Sequence, residues 1–351
     1  MPRRLMLNMK IKLVLLALAS VIIYGVFKNS ASTTPAPVAT IPLYDHIFVI
    51  IEENKAYEQI IDNPDAPIIN QLAHTYGLAT NYYGIVHPSE GNYVAMLGGS
   101  TFGIHDNAPF DATESTPGSH GVNHTITERS LIDQLAEKGL TWKGYFESIP
   151  KPGYKGTSYP SDIQPLYASK HNGFLNYHKV QKDPKELAKI VGINQFNTDL
   201  KTGNLPNYSH IVFNQCNDMH GLAECPDLRQ LIHQGDLMVG KTAQSIMDSP
   251  LWKSPKNNAI VITWDEDDGR QVHQGCCGFD PNSLANFGGG HIATIVITNH
   301  GARGVIDATP YNHYSLLRTT EAAFGIHEYL NFANRTEDGV KSLSPLFSVK
   351  P

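Results

Sequence analysis

Four short stretches of the sequence gather side chains that can hold a cation or move a proton: Glu52-Glu53-Asn54, Asn217-Asp218-Met219-His220, Asp265-Glu266-Asp267-Asp268 and Gly288-Gly289-Gly290-His291. Their donors are carboxylate, carboxamide and imidazole groups. Such donors suit a divalent Zn, Mn, Ca or Mg ion, one or two per chain, and exclude soft thiolate chemistry. A lone Glu-Asn is ordinarily a turn or a helix cap, and an Asp-x-His by itself says little. Asp265-Glu266 says more, because adjacent carboxylates repel and their burial is costly unless a cation neutralises them. A fifth stretch, His87-Pro88-Ser89-Glu90-Gly91-Asn92-Tyr93, supplies a hydroxyl. The apolar residues after Asn92 read as a helix, which places Ser89 at a helix N-terminus, where free N–H groups and the helix dipole favour an anionic phosphate. Alone, such a serine is an N-cap. Beside a cation that stabilises its alkoxide it is a candidate nucleophile.

The elements that must position these groups are legible as alternating periods. His46-Ile47-Phe48-Val49-Ile50-Ile51 is an unbroken apolar run of the kind found in strands buried on both faces. Further strands are expected over residues 211–214, 259–264 and 292–298, and helices over 66–76, 130–138, 184–190, 227–246 and 314–324. Strands alternating with helices predict an α/β fold with a mainly parallel central sheet and helices on both faces. Ligands of such sheets sit beyond the carboxyl ends of the strands. Three of the four donor stretches follow predicted strands, and the fourth, ending in His291, immediately precedes one. Gly/Asn/Pro-rich stretches over 103–124, 150–172 and 269–290 read as long loops around that end of the sheet.

The 351 residues suffice for one large α/β domain, and the formal charge of -6 comes without any basic, aromatic-interleaved run in the body of the chain. Nucleic acid is therefore not an expected partner. Arg3, Arg4, Lys10 and Lys12 precede an apolar run from Leu13 to Phe27, closed by Lys28 and followed by a Ser/Thr/Pro/Ala spacer. This is the pattern of an export signal or an N-terminal membrane anchor, expected to occupy residues 1–40 and to leave 41–351 as the catalytic domain. An exported chain permits disulfides. Cys216 and Cys225 are close enough to staple one loop, whereas the adjacent Cys276 and Cys277 can bond to each other, stay reduced or pair elsewhere.

The ordered set Glu53-Asn54, Pro88-Ser89-x-x-Asn92-Tyr93, Asp218-Met219-His220, Thr263-Trp264-Asp265-Glu266 and Gly289-Gly290-His291 resembles the bacterial phosphoesterase family. That family includes acid phosphatases, phospholipase C-type enzymes and secreted phosphatidylinositol phosphatases, and it belongs to the alkaline phosphatase superfamily. Lys170-His171-Asn172 and His313-Tyr314-Ser315-Leu316-Leu317-Arg318 also look like family segments. The resemblance implies an alkaline phosphatase-like fold, with Ser89 as nucleophile. It implies that Glu53, Asn54, Ser89, Asp265 and Glu266 surround one metal. Asp218, His220 and His291 would bind a second metal or contact the phosphate directly. Asn92 and His291 would bind substrate, and His171, or else His105, would protonate the leaving oxygen. The chain departs from the family by carrying Glu90-Gly91 after the nucleophile, where an apolar residue and a proline are common. A carboxylate there would repel an anionic substrate or recruit a further cation. Glu52 beside Glu53 leaves that ligand assignment open to a slip of one.

The expected activity is that of an exported, metal-dependent phosphomonoesterase acting on a small-molecule or lipid phosphate ester through a phosphoserine. The N-terminal apolar segment would be a possible membrane tether. A phospholipase C-like phosphodiesterase and a catalytically silent metal- or phosphate-binding surface protein are the alternatives. The modification motif of sulfatases is absent around Ser89.

Overall fold

A computed structural model describes residues 40–223, 225, 228–270, 274–278 and 288–349; the expected export segment lies outside them. Eleven strands are present among these residues: β1 (His46–Glu52), β2 (Gly77–Tyr83), β3 (Trp142–Phe146), β4 (Ser158–Tyr159), β5 (Tyr167–Ala168), β6 (Ile190–Gly192), β7 (Tyr208–Val212), β8 (Asn258–Trp264), β9 (His291–Thr298), β10 (Val305–Asp307) and β11 (Tyr311–Asn312). The helices of seven or more residues are α1 (Pro67–Thr75), α2 (Glu90–Gly98), α3 (Leu131–Glu137), α4 (Ile193–Thr202), α5 (Leu228–Asp248) and α6 (His313–Ala323).

Nine strands form one sheet in the order β10-β2-β9-β8-β1-β7-β3-β6, with β11 paired to β2 outside that path. β1 runs parallel to both β7 and β8, so its apolar residues are covered on each face by the core. β3 and β6 extend the parallel set, while β9 is antiparallel to β8 and β2. The sheet is thus mainly parallel and flanked by helices, as expected. The antiparallel β9 has a consequence for the site: its first residue, His291, lies at the same rim as the carboxyl ends of the parallel strands.

Three expectations shift. β7 begins at Tyr208 rather than at residue 211, because Tyr208, Ser209 and His210 are buried despite their polar groups. β2 and β3 carry too many polar residues to have been read as buried strands. The helix expected over 184–190 is a single turn, Pro184–Leu187, and β6 starts at Ile190.

Two contacts explain how the chain reaches the rim. Asp236 of α5 accepts hydrogen bonds from the backbone nitrogens of Ile68 (3.2 Å) and Ile69 (2.7 Å). It caps α1 across the fold, satisfying donors that the helix itself cannot. After β2, Gly84 crosses the ends of β8 and β9 so closely that a Cβ would lie 2.8 Å from the carbonyl oxygens of both Asp265 and Gly289. Only glycine allows that passage, and it delivers the chain to Ser89. Cys216 and Cys225 are disulfide-bonded, closing the loop that carries Asp218 and His220, and Cys276 and Cys277 are bonded to each other. Among the described residues no helix is long and apolar enough to cross a membrane.

Candidate active site

Ser89 occupies the N-cap position of α2 but makes no capping bond. Its buried hydroxyl instead donates to Glu266 Oε1 at 3.0 Å and lies 3.4 Å from Glu53 Oε2. The capping role is therefore replaced by contact with two carboxylates from the ends of β1 and β8. Glu53 is held by its other oxygen: the Tyr93 hydroxyl donates to Oε1 at 2.7 Å, and His171 Nε2 approaches the same oxygen at 3.1 Å. Burial, reinforced by Glu53 and the other nearby carboxylates, pushes the Tyr93 pKa well above its ordinary value, so the phenol remains a donor.

Asp265 is fully buried, and its Oδ1 accepts from the backbone nitrogen of Asn54 at 3.3 Å. Asn54 itself sits in the left-handed region at φ 52, a conformation that asparagine tolerates better than most residues. Burial first, then the charges of Glu53 and Glu266, holds the Asp265 carboxyl well above the usual carboxylate range. Asp218 is raised in the same way, by burial and by Glu53. Glu53, Ser89, Asp265 and Glu266 thus lie together, with the Asn54 backbone nitrogen against Asp265. Glu52 does not join them. It is buried with both oxygens lacking a hydrogen-bond partner, and its Oε2 lies 2.9 Å from where a Cβ on Gly235 would stand. Strand alternation sends Glu53 to the site and Glu52 away from it, which settles the one-residue ambiguity.

A second donor group shares Glu53. Single ligand atoms of Glu53, His171 and His220 all lie within 4.8 Å of one another. Asp218 Oδ2 is 3.6 Å from His171 Nδ1. His171 therefore stands where His291 was expected. His291 stacks on Tyr57 with ring centroids 4.5 Å apart, and its Nε2 faces the Thr80 carbonyl at 3.0 Å. His171 is buried between Glu53 and Asp218; burial, then Lys170 and His220, lowers its pKa well below the ordinary value. A neutral imidazole sealed between carboxylates is placed to be a ligand rather than the leaving-group acid. His105, the other residue considered for that task, has its Nδ1 on the Gly103 carbonyl at 2.7 Å and packs against His120.

Asn92 is also reassigned. Its Oδ1 accepts from the backbone nitrogens of Ile85 and Val86, at 2.8 and 3.2 Å, and its Nδ2 donates to the Val86 carbonyl at 2.7 Å. All of its recorded hydrogen bonds brace the turn that leads to Ser89, so it shapes the site without facing substrate.

Two contributors were missed in the sequence. His87 bridges Glu266, through Nδ1, and Asp267, through Nε2 at 3.1 Å. Burial works to lower its pKa, but the hydrogen bonds and charges of Asp267 and Glu266 prevail and push it up to about 9. Its position two residues before Ser89 was the only signal. Lys55 is buried and its Nζ donates to the carbonyls of Asn54 (2.9 Å) and Met219 (2.7 Å). It ties the loop after β1 to the loop after β7. Met219 adopts φ 73, a strained conformation for a side chain of its size, between Asp218 and His220.

Glu90 is buried and turned to His124 and Asn176. Its Oε1 accepts from His124 Nδ1 at 2.9 Å and from Asn176 Nδ2 at 2.6 Å, while His124 Nε2 lies 3.1 Å from Asp106 Oδ1. The extra carboxylate beside the nucleophile is neutralised inside the fold, and it fastens the segment around residues 106–124 to the start of α2.

The fit to a divalent cation can be judged from orphaned atoms. Asp218 Oδ2 and Asp265 Oδ2 are buried without a hydrogen-bond partner. Buried carboxylate oxygens in that state, crowded by Glu53 and Glu266, are stabilised by a cation. Glu53, Asp265, Glu266 and Ser89 lie in one cluster that could hold a cation, and Glu53, Asp218, His171 and His220 in another.

The phosphoesterase family model matches residues 61–327. The chain is 28% identical over 288 residues to the phosphatidylinositol-3-phosphatase of Mycobacterium tuberculosis, covering 82% of this chain and 79% of that one. It is 29% identical over 261 residues to the phosphate-repressible acid phosphatase of Penicillium chrysogenum, covering 74% of this chain but only 54% of the fungal protein. In fold it resembles a Vibrio parahaemolyticus protein of the alkaline phosphatase superfamily, with a TM-score of 0.53 at 12% identity over 83% of this chain and 68% of that one. A sulfatase from a Pseudoalteromonas species gives a TM-score of 0.54 at 11% identity, covering 88% of this chain and 72% of that one. With Ser89, the carboxylates of Glu53, Asp218, Asp265 and Glu266 and the imidazoles of His171 and His220 at one rim of an alkaline phosphatase-like sheet, the chain belongs to the phosphoesterase family and is a hydrolase of phosphate esters.

Proposed function

We propose that this chain is an exported, metal-dependent phosphomonoesterase that works through a phosphoserine on Ser89. The observation that carries the reading is the uncapped Ser89 hydroxyl, 3.0 Å from Glu266 Oε1. A serine at a helix start normally bonds to its own helix; this one is held by Glu266 and faces Glu53. A bound divalent ion would supply the positive charge that lowers the Ser89 pKa and offsets charge developing on the phosphoryl oxygens.

The chain's own residues account for the remaining steps. Glu266 Oε1 accepts the Ser89 proton along an existing hydrogen bond. The oxygen attacks phosphorus, the phosphorus–oxygen bond to the alcohol breaks, the departing oxygen takes a proton from solvent water, and phosphate is left esterified to Ser89. The α2 N-terminus faces the resulting negative charge favourably. Tyr93 and Lys55 fix Glu53 and the two ligand loops, so the carboxylates do not move as charge develops. Water then cleaves the phosphoserine, and the Ser89 proton is restored. The names of the relatives, acid phosphatases and a phosphatidylinositol-3-phosphatase, support a monoester as substrate.

Export is supported by the charged and apolar pattern of residues 3–28 and by the two disulfides, which persist in oxidising compartments. The test is hydrolysis of a chromogenic phosphate monoester and the matching diester, with chelator and then with Zn, Mn, Ca or Mg restored. Monoester turnover that chelator abolishes and a metal restores is the expected result. Diester turnover alone would move the chain to the phospholipase C side, and no turnover of either by metal-loaded protein would leave a binding protein.

A further inference from the structure

The two oxygens of Glu266 have different partners. Oε1 accepts from the Ser89 hydroxyl at 3.0 Å, and Oε2 is paired with His87 Nδ1. The last torsion of a glutamate is broad and roughly two-fold, so nothing within Glu266 fixes which oxygen meets the serine. Beside a divalent ion a carboxylate can also turn to offer both oxygens to the metal. A partner on Oε2 removes both freedoms.

His87 is itself held from two directions. Its Nε2 lies 3.1 Å from Asp267 Oδ1, so the ring spans two carboxylates with an acceptor at each nitrogen. Asp267 is buried, and its backbone nitrogen donates to the Gly289 carbonyl at 2.8 Å. Its Oδ1 accepts from the Gly269 nitrogen at 2.8 Å, and a Cβ on Gly290 would collide with its carboxyl group. On the backbone side, Val86 is pinned by Asn92 of α2, through its nitrogen at 3.2 Å and its carbonyl at 2.7 Å. With both nitrogens turned to carboxylates, the ring has no N–H left for the alcohol oxygen of a substrate. It is placed to orient Glu266, not to protonate a leaving group.

We propose that His87 is a positioning residue: by holding Oε2 it keeps Glu266 Oε1 on the Ser89 hydroxyl and keeps Glu266 from turning its second oxygen to a bound metal. The proposal rests on the phosphate-ester reading of Ser89. It separates two quantities that a merely structural role would move together. Without the His87 contact the freed oxygen leaves metal binding intact or tighter, whereas the serine loses its fixed acceptor and turnover falls.

Two near-isosteric variants divide the ring's contacts. The amide nitrogen of Asn falls where His Nδ1 stands, so His87→Asn keeps a donor for Glu266. The amide nitrogen of Gln falls where His Nε2 stands, so His87→Gln keeps the Asp267 contact and loses the one to Glu266. Both are compared with wild type as the full chain, on 4-nitrophenyl phosphate in whichever of Zn, Mn, Ca or Mg restores wild-type turnover after chelation. The readouts are kcat, KM, the Kd of that metal by calorimetric titration, and the thermal transition.

His87→Gln is expected to lower kcat about ten- to a hundredfold with KM changed less than about threefold, and to leave the metal Kd equal to or below that of wild type. His87→Asn is expected to stay within about fivefold of the wild-type kcat. If His87→Gln does not fold, His87→Ala takes its place with the same expected outcome. A kcat in His87→Gln equal to wild type, equal losses in both variants, or a metal Kd weakened in step with kcat overturns the proposal and leaves the Ser89 reading standing. Wild-type protein that hydrolyses no monoester overturns the Ser89 reading itself, and the positioning role with it.

Discussion

Replacing Asp265 by Asn should stabilise the metal-free protein and abolish most of its response to metal. Asp265 is fully buried, flanked by Glu53 and Glu266, and one of its oxygens has no hydrogen-bond partner. Without a cation the charged side chain is a liability, and an amide of the same shape removes the repulsion while keeping the acceptor for the Asn54 nitrogen. Each pKa unit by which neighbours disfavour the ionised form corresponds to about 1.4 kcal/mol. Relief of roughly 1–2 kcal/mol is therefore a conservative figure, worth a rise in Tm of about 2–4 °C in a domain of this size. With metal the order reverses. A ligand at a hundred times its Kd stabilises the wild type by about 2.7 kcal/mol, or some 5 °C or more, and the variant, lacking one charged donor, gains only a fraction of that. The assay is thermal unfolding of both proteins in chelator and then in saturating Zn, Mn, Ca or Mg. A variant less stable than wild type in chelator, or one shifted by metal as far as wild type, would refute the claim that these carboxylates are assembled around a cation.

Ser89→Ala should reduce monoester turnover by a factor of about 10³ or more while leaving Tm within a degree or two, because the hydroxyl makes no capping bond to lose; retained activity in a metal-loaded sample would dismiss it as nucleophile. Glu321, buried within α6, has a carboxyl that burial pushes up to about 8. A raised acid pKa means the native state holds the proton more tightly, so stability is greatest below the unfolded value of about 4.3 and declines as pH rises towards 8. Glu321→Gln should flatten that decline in unfolding measured between pH 5 and 8, and a slope identical to wild type would count against it. His124→Leu leaves Glu90 and Asp106 buried without their shared partner; unfolding in denaturant should show a loss of about 3–5 kcal/mol, and a loss below 1 kcal/mol would mean that water reaches the carboxylates.

The parts of the fold read correctly in the sequence are those whose burial is apolar. β1, β8 and β9 announce themselves through unbroken Ile/Val runs, and with them comes the rim on which ligands had to lie. β2 and β3 were hidden by Thr80, Asn81 and Lys143, because a strand near an edge or beside a site carries polar side chains that tertiary partners satisfy. The Asp265-Glu266 pair was legible because adjacent acids are costly to bury without a reason. His171 was legible as a histidine near the site, but its role was not. Whether an imidazole ends up between two carboxylates or on the rim depends on the loop between β3 and β6, and local sequence does not determine that path. His291 failed for the complementary reason: its position at the start of β9 was right, while the rings of Tyr57 and Tyr83 take up its faces.

Glu53 makes the two donor sets one site. Its Oε2 lies beside Ser89 and its Oε1 beside His171 and Tyr93, so charge placed in either set is felt by the other through a single carboxylate. Its pairing with Asp218, Asp265 and Glu266 leaves buried carboxylates crowded around Ser89, and the nearby basic groups among the described residues bond to other atoms than the Ser89 hydroxyl. Lys55 is turned to backbone carbonyls, His87 is taken by Glu266 and Asp267, and Lys170 rests 3.0 Å from His220 Nε2. Among the described residues His87 is the basic partner of Glu266, and the neutralisation of Glu53, Asp218 and Asp265 is left to something that binds there. This arrangement explains why Glu90, one more acid immediately after Ser89, had to be directed into the His124–Asp106 pair rather than towards the substrate.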